Sequence, residues 1–251
     1  MAQPHILEQV DDQFGSFSVE ELTYDGRNSR VLFSGPSHSA QSGLALDGNP
    51  KLLFDYIQQL FELALDLNPK NILILGGGTL TLATALCKHL PKTKITAVEI
   101  NKDLIDLAEK YFGYEKDPRL TVILDDAEHF VARQKEHHYE LIVTDLFNDL
   151  AIPDQFMSQT FAKQLKRILK TDGIVATNCI AALFGLGSQP VLKLATAYQK
   201  TIGRTRVLRV DNYRHYLGWT PQNLLVLAGR GTEDLLRGLA QVQLNVQGRV
   251  F

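Results

Sequence analysis

The feature that most constrains the fold is a short apolar run that ends in three consecutive glycines. Residues 71–78 read Asn-Ile-Leu-Ile-Leu-Gly-Gly-Gly. A continuous run of large aliphatic residues is typical of a strand that is buried on both faces. Glycines at its end allow the chain to turn sharply and to bring its backbone close to a ligand, because they tolerate positive φ angles. This segment predicts a central strand of a parallel α/β sheet with a ligand-binding loop at its end.

An acidic residue follows at the tip of the next predicted strand. The run Ile-Thr-Ala-Val leads to Glu99, which lies 23 positions after Gly76. A carboxylate at this place accepts hydrogen bonds from ribose hydroxyls in nucleotide-binding sheets. A pyrophosphate loop needs glycines at its first, third and sixth positions, whereas Thr81 occupies the sixth position here. The loop by itself also fits a plain strand-to-helix turn, and Glu99 favours a ligand that carries a nucleoside.

The middle of the chain alternates apolar runs with helical patterns, which predicts βαβ units. Strands are expected at 72–75, 95–98, 121–124, 141–144 and 174–177, and helices at 80–89, 102–112, 127–135 and 155–169. Two further runs, at 205–210 and 224–228, predict an antiparallel hairpin near the C-terminus. A small N-terminal β domain is expected at residues 1–50, because turn residues separate short segments there in which apolar and polar residues alternate. Residues 51–251 would form the larger domain, which begins with a helix from Lys51 to about Leu67.

Acidic residues follow three successive strands of the predicted sheet. Glu99 is the first, the pair Asp125-Asp126 the second and Asp145 the third. Because parallel strands present their carboxyl ends at one edge, these side chains are expected to share one cleft. Asp125 and Asp126 offer acceptors for an exocyclic amine such as that of adenine. Each acid alone could be a helix cap or a solvated charge, but the set of three beside the glycine loop favours a binding site.

The composition predicts an enzyme-sized cytoplasmic protein. With 26 basic and 28 acidic residues spread along the chain, the net charge of -2 argues against a nucleic-acid partner. The first residues do not read as a signal peptide, and the longest apolar run is too short to cross a bilayer. Cys87 and Cys179 lie in apolar runs, which favours buried reduced thiols. The histidines share no metal-ligand spacing, so no metal is expected.

These motifs together resemble the polyamine aminopropyltransferases, the spermidine synthase family, within the class I S-adenosylmethionine-dependent methyltransferase fold. The resemblance rests on residues 72–79, Val98-Glu99, Asp125-Asp126-Ala127 and the run Tyr-Glu-Leu-Ile-Val-Thr-Asp at 139–145. It implies a Rossmann-like, mostly parallel sheet with helices on both faces. It also implies a homodimer.

The resemblance further implies transfer of an aminopropyl group from decarboxylated S-adenosylmethionine to an amine such as putrescine, without a metal. Asp145 would activate the attacking amine, while Gln41 and Tyr56 would line the substrate pocket. The donor would be held by residues of the loop and of the strand ends: Gly76, Gly77, Gly78, Thr79, Glu99, Asp125 and Asp126.

Two loops depart from the pattern of that family. Family members usually have an aspartate after the three glycines, where it holds the amino end of the donor, and this chain has Thr79. The segment after the fourth strand reads Asp145-Leu-Phe-Asn148 instead of an Asp-Ser-Ser-Asp-like sequence. Three hypotheses therefore stay open: an aminopropyltransferase, a methyltransferase that uses intact S-adenosylmethionine, and a non-catalytic nucleoside-binding protein.

Overall fold

The N-terminal part of the protein is a four-stranded antiparallel sheet. The computed structural model describes residues 4–47, 52–148, 151–210 and 220–230, together with three short strands between 241 and 250. The first sheet has the strand order β1-β2-β3-β4 and is built from β1 (His5–Asp12), β2 (Gly15–Tyr24), β3 (Arg27–Ser34) and β4 (Ser39–Ala45). The sequence predicted a small β element here but not its first and last strands.

The second sheet is larger and mostly parallel, as the sequence predicted. Its strands are β5 (Asn71–Leu75), β6 (Lys94–Glu99), β7 (Leu120–Leu124), β8 (Tyr139–Thr144), β9 (Leu169–Ala181), β10 (Thr205–Arg209), β11 (Gln222–Ala228) and β12 (Gln241–Val242). They lie in the order β12-β10-β11-β9-β8-β5-β6-β7. The pairs from β9 to β7 are parallel, whereas β11 runs antiparallel to both β9 and β10. The predicted C-terminal hairpin is thus confirmed. Two further short strands, β13 (Leu244–Asn245) and β14 (Arg249–Val250), pair with each other.

Helices cover both faces of this sheet. They are α1 (Asp55–Leu67), α2 (Thr81–His89), α3 (Lys102–Tyr111), α4 (Ala127–Ala132), α5 (Gln159–Ile168) and α6 (Gln189–Thr201). The side chains of β5 show why its apolar run is continuous: Ile72 and Ile74 pack with α1 and α2, while Leu73 and Leu75 pack with α5 and α6. A strand with helices on both sides has no solvent-facing side chains, so its sequence does not alternate.

The N-terminal sheet packs against α3. Val19 and Leu32 of the sheet form one buried cluster with Leu107 of α3 and with Phe112, which follows it. The Arg30 guanidinium also donates a hydrogen bond of 2.7 Å to the main-chain carbonyl of Tyr111. These contacts hold the small sheet above the carboxyl ends of β5 and β6.

The structure corrects two helix predictions. The helix expected at 155–169 begins only at Gln159, because residues Asp154–Met157 form a separate 3₁₀ turn and the Ser158 side chain caps α5. Helix α6 was not predicted, although Val191, Leu194, Ala195 and Tyr198 have the i, i+3, i+4, i+7 spacing of a buried helix face. In the described part of the chain, every helix is too short or too polar to cross a bilayer.

Candidate functional site

The glycine loop folds back against the two neighbouring strands. The main-chain N–H groups of Gly76 and Gly77 both donate to the Val98 carbonyl, at 3.0 Å each. Gly76 has a φ of +84°, and a Cβ added there would lie 2.2 Å from the main-chain oxygen of Asp145. The loop can therefore approach the end of β8 only because this residue has no side chain.

Glu99 lies at the end of β6 and faces the same loop. Its side chain accepts a 2.6 Å hydrogen bond from the Gly78 N–H and a 2.9 Å bond from the Asn101 N–H. Burial raises the pKa of this carboxyl, although the bonds from the main-chain N–H groups act in the opposite direction. The predicted sugar-binding acid is thus a buried acceptor beside the glycine loop.

Asp125 and Asp126 follow β7, and each has a structural contact. Asp126 is the N-cap of α4, since its Oδ1 accepts hydrogen bonds from Glu128 N at 2.8 Å and from His129 N at 3.0 Å. Asp125 forms an ion pair with Arg133. Both acids also line the cavity described below, so the capping role and a binding role are compatible.

Asp145 follows β8, and two neutral side chains donate hydrogen bonds to its carboxylate. The Tyr56 hydroxyl donates to Oδ2 at 3.1 Å, and the Asn178 amide donates to Oδ1 at 2.9 Å. The Asn223 amide donates in turn to Asn178 Oδ1 at 3.0 Å, which fixes the orientation of the Asn178 amide. Burial raises the pKa of Asp145, and the hydrogen bonds from Asn178 and Tyr56 oppose this shift.

The pKa of Tyr56 is raised well above its usual value, first by burial and then by the negative charge of Asp145. Its phenol therefore stays protonated at neutral pH and remains a hydrogen-bond donor. The Phe54 ring stacks beside the Tyr56 ring with centroids 6.2 Å apart. The Tyr24 ring meets Phe54 edge-on at 5.8 Å. Together these rings form an aromatic wall next to Asp145.

Thr79 takes part in a cluster of buried hydroxyls. Its Oγ1 is hydrogen-bonded to Ser42 Oγ of β4 at 2.5 Å, and Ser42 Oγ also lies 3.3 Å from Thr81 Oγ1 at the start of α2. The three hydroxyls join the N-terminal sheet to the glycine loop. The adjacent Gln41 contributes to the lining of the same cavity.

All ten predicted site residues line one cavity of about 860 Å³. This size lies within the range that is usual for small-molecule sites. Its described lining includes four carboxylates, from Glu99, Asp125, Asp126 and Asp145, but no lysine, arginine or histidine. The cavity therefore favours ligands that carry positive charge.

The N-terminal sheet covers this cavity, and Asn101 ties it down. The Asn101 amide donates a 2.7 Å hydrogen bond to the carboxylate of Asp12, at the end of β1. Asp12 also accepts bonds from the N–H groups of Phe14 and Gly15, so it shapes the turn to β2. The half-exposed Phe14 at that turn lines the cavity.

Sequence reasoning missed the amides of the site. Asn101, Asn178 and Asn223 lie just after β6, within β9 and within β11. For Asn178 a signal existed, because Asn178 and its neighbour Thr177 interrupt an apolar strand. A buried amide at such a place needs hydrogen-bond partners. Asn223 gave no comparable signal.

Comparisons with known proteins agree with the fold. Residues 55–184 match the family described as the spermine/spermidine synthase domain. A polyamine aminopropyltransferase of Hamiltonella defensa subsp. Acyrthosiphon pisum (strain 5AT) is 32% identical over 120 residues, which cover 45% of this chain and 41% of that protein. Putrescine N-methyltransferase 2 of Nicotiana tabacum is 27% identical over 175 residues, which cover 64% of this chain and 49% of that protein.

Among solved structures, a probable spermidine synthase from Corynebacterium glutamicum ATCC 13032 superposes with a TM-score of 0.74 at 18% identity. The match covers 91% of this chain and 81% of that one, and it shows a shared fold. The chain spans less than half of the length of the first curated relatives that it matches.

Proposed function

Because the chain belongs to the spermine/spermidine synthase family, we propose that it transfers an aminopropyl group from decarboxylated S-adenosylmethionine to an amine acceptor. The observation that carries this proposal is the charge of the cavity, which has four carboxylates and no cationic side chain in its described lining. The donor carries a sulfonium and an ammonium, and an amine acceptor is also cationic at neutral pH. An intact methionine carboxylate would find no cationic side chain among these residues.

In this proposal the acids of β6 and β7 hold the nucleoside half of the donor. Glu99 would accept hydrogen bonds from the ribose hydroxyls, as acids at the end of this strand do in related sheets. Asp125 and Asp126 would accept from the adenine amine, since a carboxylate is an acceptor only. The main chain at Gly76, Gly77 and Gly78, with Thr79, would pack against the donor between these groups and Asp145.

Asp145 would act on the acceptor. A protonated amine has no lone pair for attack, so a base must take a proton before or during the reaction. The raised pKa of Asp145 brings this carboxylate closer to the pKa of the amine and makes it a better base than an exposed aspartate. Tyr56 and Asn178 hold the carboxylate by donating to it, and Gln41 would contribute to the wall of the pocket.

The transfer balances without a further reactant. The amine nitrogen forms a bond to the aminopropyl carbon with its lone pair. At the same time the carbon–sulfur bond breaks, and the electron pair of that bond goes to sulfur. The sulfonium thereby becomes a neutral thioether, methylthioadenosine, and Asp145 takes the proton. Alignment of nitrogen, carbon and sulfur in the cavity would supply much of the acceleration.

One observation favours methyl transfer as a second candidate. Thr79 is neutral and hydrogen-bonded to Ser42, so it offers no carboxylate to the ammonium of the aminopropyl group. A neutral loop beside the start of α2 tolerates the carboxylate of intact S-adenosylmethionine better than an acid would. The product distinguishes the two reactions, because methyl transfer releases S-adenosylhomocysteine.

The test is mass spectrometry of the protein incubated with a panel of amines and, separately, with each donor. Enzyme-dependent methylthioadenosine with an aminopropylated amine supports the proposal. S-adenosylhomocysteine with a methylated amine would replace it by the second candidate. If neither product forms while methylthioadenosine still binds, the protein binds the nucleoside and transfers no group to the amines of the panel.

Asp145→Asn tests the role of the base. Loss of a general base is expected to lower kcat by roughly 10²–10⁴-fold while the affinity for methylthioadenosine stays close to wild type. Asp154→Asn is the matched control, because Asp154 is exposed on a 3₁₀ turn and pairs with Lys193 outside the cavity. Full activity of Asp145→Asn would refute the assignment.

A further inference from the structure

Three of the four acids of the cavity lie on one side of its centre. The order of the strands places β7 and β6, with Asp125, Asp126 and Glu99, on one side of β5 and β8. Asp145 follows β8 near the middle of the sheet edge. Beyond it come β9 and β11, and these strands contribute amides to the cavity instead of acids.

The part of the cavity beyond Asp145 has a neutral lining. The 3₁₀ turn Asp154–Met157 packs against α6, which covers β9 and β11, so this turn belongs to the same side. In the described part of the chain, the cavity residues of this side are amides and hydrophobic side chains: Asn148, Gln155, Phe156, Asn178, Ile180 and Asn223. We call this region the neutral half.

The charge pattern separates two kinds of amine acceptor. The attacking nitrogen must lie at Asp145, and the nucleoside half of the donor would occupy the acids of β6 and β7. The rest of the acceptor therefore extends into the neutral half. Asn148 and Gln155 are exposed, whereas Phe156 and Ile180 are half-buried. A second ammonium beside Phe156 and Ile180 would lose water without gaining a carboxylate, which is unfavourable. Hydrocarbon in contact with Phe156 and Ile180 would instead leave water with a gain in free energy.

We propose that the acceptor is an amine with one cationic group and a neutral, largely apolar body, rather than an α,ω-diamine. This inference rests on the proposed function, because it assigns the neutral half to the acceptor. The amides of Asn148 and Gln155 suit a hydroxyl or amide group at the far end of such an acceptor. The aromatic wall of Tyr24, Phe54 and Tyr56 adds apolar surface beside Asp145.

The experiment compares matched amines with decarboxylated S-adenosylmethionine as the donor. Initial rates of methylthioadenosine formation give kcat/KM for n-butylamine against putrescine and for n-hexylamine against 1,6-diaminohexane. An unpaired second ammonium is expected to lower kcat/KM by roughly 10-fold or more for each diamine. A kcat/KM for the diamine that equals or exceeds that of its monoamine overturns the proposal.

Substitutions in the chain test the cause of the preference. Gln155→Glu adds one carboxylate to the neutral half, and it is expected to shift the ratio of the two kcat/KM values towards the diamine by about 3–10-fold. Gln199→Glu adds the same charge on the exposed face of α6, away from the cavity, and should not shift the ratio. Equal shifts in both variants would refute the local explanation.

Asp149 lies outside the described residues and directly follows Asn148. Asp149→Asn should leave the ratio unchanged, and a selective loss of diamine turnover in this variant would overturn the proposal. If no amine yields methylthioadenosine, the proposed function fails by itself. Calorimetric titration of the same amine pairs into protein saturated with methylthioadenosine then decides the acceptor class, and tighter binding of the diamines would refute it.

Discussion

Replacement of Gly76 by alanine is expected to destabilise the protein more than the same replacement at Gly78. Both residues have positive φ angles, +84° and +51°. They differ in their surroundings. A Cβ added at Gly76 would lie 2.2 Å from the Asp145 main-chain oxygen, whereas a Cβ added at Gly78 would have no heavy atom within 4 Å. The pair thus separates the strain of the backbone from a steric overlap.

The size of the effect follows from these distances. A left-handed conformation costs an L-residue roughly 1–2 kcal/mol, and this cost applies to both variants. A carbon–oxygen contact is normally about 3.3 Å, so the overlap at Gly76 requires the end of β8 to move by about 1 Å. Overpacking of this kind costs about 1–3 kcal/mol more. We expect losses of about 2–5 kcal/mol for Gly76→Ala and about 1–2 kcal/mol for Gly78→Ala.

Urea unfolding at neutral pH measures both losses, provided that the dependence on denaturant is the same in each variant. Because the overlap involves the main chain of Asp145, Gly76→Ala should also lower kcat more than Gly78→Ala does. Equal stabilities of the two variants, within about 0.5 kcal/mol, would refute the close approach of the loop to β8.

Three further outcomes are expected. Only ionised Asp145 can accept a proton, and burial raises its pKa above 3.8. The value of kcat/KM should therefore fall as the pH drops through this raised pKa, and a pH profile that follows an unshifted aspartate would contradict the burial. Asp126→Ala should cost about 1 kcal/mol in thermal unfolding because α4 loses its N-cap, and an unchanged melting temperature would argue against the cap. Asp12→Ala should raise KM for the donor more than KM for the amine, since it frees the Phe14 turn from Asn101; equal changes in both constants would show that the turn does not serve the donor.

The sequence predicted the central sheet well because its signals are local. The apolar run of β5 and the glycines after it have one simple cause, which is burial on both faces followed by a tight turn. The acids at 99, 125, 126 and 145 were brought together by a rule of topology, since parallel strands end at one edge. The structure indeed places them around one cavity.

Other parts depended on contacts that no local pattern contains. β1 and β4 are held by pairing with β2 and β3, and their polar, partly exposed residues give a weak strand signal. Asn223 reaches Asp145 only through Asn178, so its place depends on the pairing of β11 with β9. Ser42 and Thr79 lie 37 positions apart in the chain. Their hydrogen bond requires the N-terminal sheet to pack against the glycine loop.

The hydroxyl cluster of Ser42, Thr79 and Thr81 has a consequence for how this loop can change. A hydroxyl can donate as well as accept, so Ser42, which is hydrogen-bonded to Thr79, can also donate to a carboxylate at position 79. Electric charge can therefore be added or removed at this position without rebuilding the N-terminal sheet. A single substitution at position 79 would then change the preference between two donors that differ by one carboxyl group. The neighbouring side chains would keep their places with a neutral or a charged residue there.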